Sequence, residues 1–276
     1  MELSFPVRAA FFHLDYPFNW TVNGQSAAHE TPSAGRYTSI DALDRQLEDF
    51  EYARIDVAMT YWWGNGSPTD AALARFLVSS ERSNLRWSVV YMRERADHPF
   101  GKDLELFLAD FRIKFAATPN FFRVSGKPVL FVDSDDTTPT CELADRWVGA
   151  NASKDAGVYL VLRPSAAMAG GFAACASQPS AWLPYDAAEP ERAAPNSFAV
   201  SPGAWKFNQA APTLPRNPAR FAASVQRMVA SRSNLQLITT FNAWNDGSAV
   251  ESATEWSSTS GHGVYLDILH TDGVAP

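Results

Sequence analysis

The run Phe241-Asn242-Ala243-Trp244-Asn245-Asp246-Gly247 follows an apolar stretch, Leu235 to Thr240, and precedes Glu251 in the same loop. A strand that ends in amides, an indole and carboxylates points its last side chains at a ligand. Two carboxylates in one cleft can protonate a leaving oxygen and assist attack or steady a cationic transition state, which is what cleaving a glycosidic bond demands. Asp246 is the first candidate for acid or base. Its competing role is turn former in Asn-Asp-Gly. Asp15 and Glu94 are the candidates for the second carboxylate, with Asp133, Asp135 and Glu251 behind them. Each has the alternative of capping a helix or facing water. Asp15 stands out because it follows the first strand, which neighbours the eighth in a closed barrel.

Around these carboxylates lie residues suited to holding a sugar: His13, Tyr61, Trp62, Trp63, Asp133, Trp205, Asn242, Trp244, Asn245 and Glu251. The four indoles are expected as stacking platforms or, individually, as core or rim fillers. His13 suits a sugar hydroxyl or a loop carbonyl. Asp56 precedes a buried run and reads as a structural group paired within the barrel. His29, His98, His262 and His270 lack metal-ligand spacing, so no metal and no cofactor is expected. No Gly-x-Ser-x-Gly elbow is present, which disfavours a serine hydrolase.

The elements that must position these residues alternate along the chain. Strand-like runs are Val7–Leu14, Arg54–Gly64, Arg86–Met92, Lys127–Val132, Gly157–Pro164, a short one near Trp182–Tyr185, Ser197–Trp205 and Leu235–Trp244. Helix-like runs separate them: one opening at Ser39 as N-cap with Leu43, Leu47 and Phe50 on one face, then Ala71–Ser79, Lys102–Ala116, Cys141–Ala150 and Ala219–Ser231. The run Gly261–His270 closes the chain as a last helix. The alternation predicts an α/β fold, a single (β/α)8 TIM barrel over residues 1–276. A doubly wound sheet is the alternative, but no Gly-rich phosphate turn follows the first strand. In such barrels the site is built at the C-terminal ends of the strands, which here carry the residues named above.

The chain has 276 residues, 46% of them hydrophobic, enough for a large core. Its formal charge of -7 argues against nucleic acid as a partner. A carbohydrate is the expected partner of a monomer. No apolar run reaches transmembrane length. The start lacks a basic n-region and an apolar h-region, so a signal peptide is absent or already trimmed. The two cysteines, Cys141 and Cys175, are read as a disulfide of a secreted, extracytoplasmic protein worth roughly 3 kcal/mol, with two buried thiols as the alternative.

These residues resemble the barrels of glycoside hydrolase families 71 and 99, endo-α-mannosidase-like proteins. There the eighth strand ends Phe-Asn-Glu-Trp-(Gly or His)-Glu-Gly, then Ile or Val and Glu. Here the run is Phe241 to Gly247, then Val250-Glu251, aligned without a gap. "IDVAMTYWWG", "TPSAGRYTS" and "SPGAWK" extend the resemblance over nearly the whole chain. In family 99 the first motif glutamate assists the sugar's own 2-hydroxyl, and the second is the general acid or base. The resemblance puts the second at Asp246 and the first at Ala243, which has no functional group. It implies a structural role for Glu251, accepting loop N–H bonds. It therefore implies a glycoside hydrolase of changed mechanism, an inverting one included, or a degenerate barrel that binds glycan without cutting it.

Overall fold

The computed structural model describes residues 3–92, 104–134, 138–152, 157–165 and 171–274. Among these, eight strands run parallel: β1 (Val7–Phe11), β2 (Val57–Trp62), β3 (Arg86–Tyr91), β4 (Lys127–Val132), β5 (Tyr159–Leu162), β6 (Ala181–Trp182), β7 (Ser197–Val200) and β8 (Leu235–Ile238). Their hydrogen-bonded order is β7-β8-β1-β2-β3-β4-β5-β6, with an antiparallel arm, Glu191–Ala194, on β7. The first strand therefore lies between the eighth and the second, Ala10 pairing with Ile238 on one side and Ala58 on the other. This nearly closed sheet, wrapped by helices, is a (β/α)8 TIM barrel.

The sequence builds it by a period of two. Val7, Ala9 and Phe11 join Val57, Met59, Val90, Val129, Phe131, Val161, Leu183, Ala199, Leu235 and Leu237 in the barrel interior. The alternate residues Ala10, Phe12, Ala58, Trp62, Leu130, Val132, Leu160, Leu162 and Ile238 face a second apolar layer under the helices. Those helices are α1 (Ser39–Tyr52), α2 (Pro68–Ser79), α3 (Leu104–Ala116), α4 (Thr140–Asn151), α5 (Pro218–Ser231) and α6 (Val264–His270). Each supplies apolar residues at helical spacing to that layer, as Leu43 and Phe50 do from α1.

One expectation is corrected. Thr38, not Ser39, occupies the N-cap of α1. Ser39 is already helical, and its hydroxyl accepts from the Tyr16 amide at 3.1 Å, tying α1 to the loop after β1. Between β6 and β7, where the sequence is rich in Ala, Pro and Glu and offers no helix-like run, the described residues form the antiparallel arm. The disulfide Cys141–Cys175 is present, with 5.1 Å between its α-carbons, and joins the start of α4 to the turn Gly171–Ala174 after β5. Among the described residues no helix is long and apolar enough to cross a membrane.

Candidate active site

The period of two continues past the strand ends and delivers polar side chains to the C-terminal mouth. From β1 it delivers His13, from β2 Tyr61, from β4 Asp133, from β5 Arg163 and from β6 Tyr185. Tyr61 stacks on Phe11 at 5.6 Å, and the His13 ring meets Tyr61 edge-on at 5.1 Å. Across the mouth the Arg163 guanidinium donates to Asp133 Oδ1 at 2.9 Å, and the Tyr185 hydroxyl donates to Asp133 Oδ2 at 3.0 Å. Asp133 thus acts as counter-charge to Arg163.

The end of β8 is a compact polar turn. After Ile238 the alternation breaks, and Phe241 falls into the helix-side layer against Phe12 and Phe50. Asn242 is buried and clasps His13, accepting from its N–H at 2.7 Å and donating to its carbonyl at 3.1 Å. Trp244–Asp246 then forms one 3₁₀ turn, closed by Gly247 at φ 58°. The main chain after β7 braces this turn: Trp205 N–H donates to the Asp246 carbonyl and Phe207 N–H to that of Asn245, both at 2.9 Å. An added Cβ on Gly247 would lie 2.5 Å from the Trp205 carbonyl, so the close approach requires glycine.

Asp246 is half-buried, and its charge reaches the inward-facing residues. Burial holds the His13 imidazole below its ordinary pKa, opposed by the negative charges of Asp15 and Asp246. Burial raises the Tyr61 phenol, and Asp133, Asp246 and Asp15 add to the rise while Arg163 opposes it. Three carboxylates therefore converge on one phenol and two of them on one imidazole. Asp15 is 49% exposed and accepts from the Asn19 amide at 2.6 Å.

Several expected sugar contacts lie elsewhere. Trp62 takes the outward parity of β2, is fully buried against Phe111 and Phe115, and donates its indole N–H to Asp70. Trp244 is fully buried beneath the turn, its indole N–H directed at the Tyr37 hydroxyl and Glu251. Glu251 is sealed under the same turn and accepts from Tyr37 at 2.6 Å and Gln46 at 2.8 Å. Burial pushes its carboxyl up to about 7 against the pull of those donors. Trp62, Trp244, Asn242 and Glu251 support the mouth from behind and present no surface to a ligand. Ala243 is likewise fully buried and brings no group to the mouth.

Trp63 is 43% exposed at the exit of β2. Trp205 is half-buried, stacked on His29 at 3.9 Å. Asn245 is half-buried, and among the described residues its Oδ1 has no hydrogen-bond partner. Glu94, Asp135 and His98 lie outside the described residues. Asp56 sits at the opposite, N-terminal end of the barrel, accepting from the Arg8 amide at 2.9 Å.

Arg163 and Tyr185 are not among the site residues expected from the sequence. Extending the alternation Val161-Arg163 and Leu183-Tyr185 by one step would have found both. Tyr16, whose hydroxyl donates to the Asn242 carbonyl at 2.8 Å and accepts from the Trp244 amide, carries no such signal.

No protein-family model matches this chain, and no curated protein does. Solved structures do. An endo-α-mannosidase of glycoside hydrolase family GH99 from Bacteroides thetaiotaomicron, in complex with bis-tris-propane, superposes with a TM-score of 0.71 at 14% identity, covering 98% of this chain and 97% of that one. A second structure of the GH99 endo-α-mannosidase from that organism gives 0.66 at 13%, over 98% and 97%. A glycoside hydrolase-like protein gives 0.66 at 15%, over 100% and 96%. At such identities the likeness establishes a shared architecture: this chain has the fold of the GH99-like glycoside hydrolase barrels.

Proposed function

We propose that this barrel hydrolyses a glycosidic bond of an oligosaccharide or polysaccharide, with Asp246 as acid or base. One observation carries the reading. The Asp246 turn follows β8 at the C-terminal end of the barrel, the end at which Asp133, Arg163 and Tyr185 are joined by hydrogen bonds. That is where catalytic groups collect in (β/α)8 enzymes, and two of the structural neighbours named above are structures of a GH99 endo-α-mannosidase. The disulfide fits an oxidising, extracytoplasmic compartment.

The test is Asp246→Asn assayed on α-mannan, glucan and arabinan oligomers, the first because the neighbours are endo-α-mannosidases. Turnover is expected to fall roughly 10²- to 10⁴-fold with oligomer binding retained. Unchanged turnover on a responsive substrate removes Asp246 from the role. The sealed Ala243 favours a second reading, glycan binding without cleavage. A wild-type protein that binds these oligomers and cleaves none of them supports it.

A further inference from the structure

Hydrolysis with Asp246 on one side of the sugar needs a base on the other, and position 243 holds none. Asp133 is engaged by Arg163 and Tyr185, Asp15 is half exposed and tied to Asn19, and Glu251 is sealed below the turn. We propose that the His13 imidazole is that base, working opposite Asp246 in place of the carboxylate missing at position 243. This assignment rests on the hydrolytic reading above.

Four observations support it. The His13 side chain is buried at the mouth, and among the described residues its Nε2 has no hydrogen-bond partner. Leaving such a buried group unpaired is costly, so it calls for a functional account. The other ring nitrogen, Nδ1, lies 3.8 Å from Asp15 Oδ1. At that separation the two are not hydrogen-bonded, but the negative charge favours the proton on Nδ1 and leaves the lone pair on Nε2. The main chain of His13 is held at its N–H and its carbonyl by Asn242, the residue before Ala243, which fixes His13 against the turn that lacks a carboxylate. Tyr61 lies edge-on against the ring and restricts it.

Electrostatics suit the role. The groups facing the imidazole are Asp15 after β1, Asp246 after β8 and the Tyr61 phenol from β2. Burial keeps the ring neutral and able to accept a proton, while the two carboxylates stabilise the cation once it forms. In the step, Nε2 takes a proton from water as the water oxygen bonds to the anomeric carbon. The glycosidic C–O bond breaks, its electron pair stays on the leaving oxygen, and that oxygen takes the proton of Asp246. One water is consumed, the anomeric configuration inverts, and His13 and Asp246 return to their starting states by proton exchange with solvent.

Two measurements test this. In the uniformly ¹⁵N-labelled wild-type protein, nitrogen shifts near neutral pH are expected to show His13 with Nδ1 protonated and Nε2 bare. Nε2 protonated overturns the assignment whether or not any variant folds. On an oligomer that the wild type cleaves, His13→Gln is expected to lower kcat roughly 10²- to 10⁴-fold with KM within about threefold, and to remove the acidic limb of the pH profile. Sodium azide, a nucleophile that needs no base, is expected to restore turnover to His13→Ala by forming the glycosyl azide. A His13→Gln enzyme with wild-type kcat and pH profile overturns the base role alone. A wild type that cleaves nothing overturns the hydrolytic reading and this role together.

Discussion

The side-chain amide of Asn242 bridges the last turn of the barrel to the main chain of His13, through hydrogen bonds of 2.7 and 3.1 Å. The first and eighth strands are neighbours in the sheet, so this clasp sets the spacing between the imidazole and the Asp246 turn. Asn242→Ala would leave the buried His13 N–H unpaired and its carbonyl with only the long 3.5 Å contact from the Ser39 hydroxyl. The expected loss is about 1–3 kcal/mol for the N–H and less for the carbonyl, so roughly 2–4 kcal/mol in all. Urea unfolding of variant and parent measures it, and an unchanged midpoint would deny the clasp any structural weight.

Glu251 makes stability depend on pH. Its folded-state pKa of about 7 lies above the ordinary 4.5, so the folded chain holds this proton more tightly than the unfolded one. Its contribution is complete below about pH 4.5 and is lost as the pH climbs to 7, at up to about 1.4 kcal/mol per unit. Glu251→Gln is expected to flatten that slope. The readout is the difference in unfolding free energy between parent and variant from pH 4.5 to 7.5. Buried acids that do not act on Glu251, Asp56 among them, cancel in the difference, whereas Asp49 lies in its field and keeps a smaller residual slope. A difference that does not vary with pH refutes the assignment.

Trp62 and Trp63 are adjacent in sequence and opposite in surroundings. Trp62→Ala removes an indole packed under α3 and should cost about 3–5 kcal/mol. Trp63→Ala should stay within about 0.5 kcal/mol of the parent while weakening oligosaccharide binding. Thermal denaturation and titration calorimetry separate the two effects. Equal destabilisation by both would contradict the parity argument.

Gly247 offers a local test of the turn. Gly247→Ala meets both a left-handed backbone, about 1–2 kcal/mol, and the Trp205 carbonyl, whose displacement adds roughly 1–3 kcal/mol. Gly35→Ala is the control, since Gly35 also has positive φ but nothing within 4 Å of an added Cβ. The turn variant should unfold at clearly lower urea than the control and lose turnover as Asp246 shifts. Matching midpoints would mean that the β7 segment yields freely.

The strand-helix alternation, the polar tip of the last strand and the cysteine pair were all legible in the chain. Local physics writes them: a period of two for strands, 3.6 for helices, and turn chemistry at Asn-Asp-Gly. The same period, carried one step of two residues beyond Phe131, Val161 and Leu183, also marks Asp133, Arg163 and Tyr185. Residue type alone did not distinguish a ligand-facing Trp or Glu from a supporting one. Trp62, Trp244 and Glu251 stand among the expected sugar contacts with a core or structural role as the alternative, and all three are buried. Their partners, Phe111, Tyr37 and Gln46, come from other elements, and Tyr37 and Gln46 lie more than 200 residues from Glu251 in the chain.

What the chain determined by itself was therefore the barrel and the inventory of acids, amides and indoles at its mouth, because both follow from short-range periodicity. Which of those groups meets a ligand, which is buried behind it, and which charges share one field were decided only by closure of the sheet. Closure sets β8 beside β1 and so brings residues 229 positions apart, His13 and Asn242, into hydrogen-bond contact. No local pattern encodes that distance.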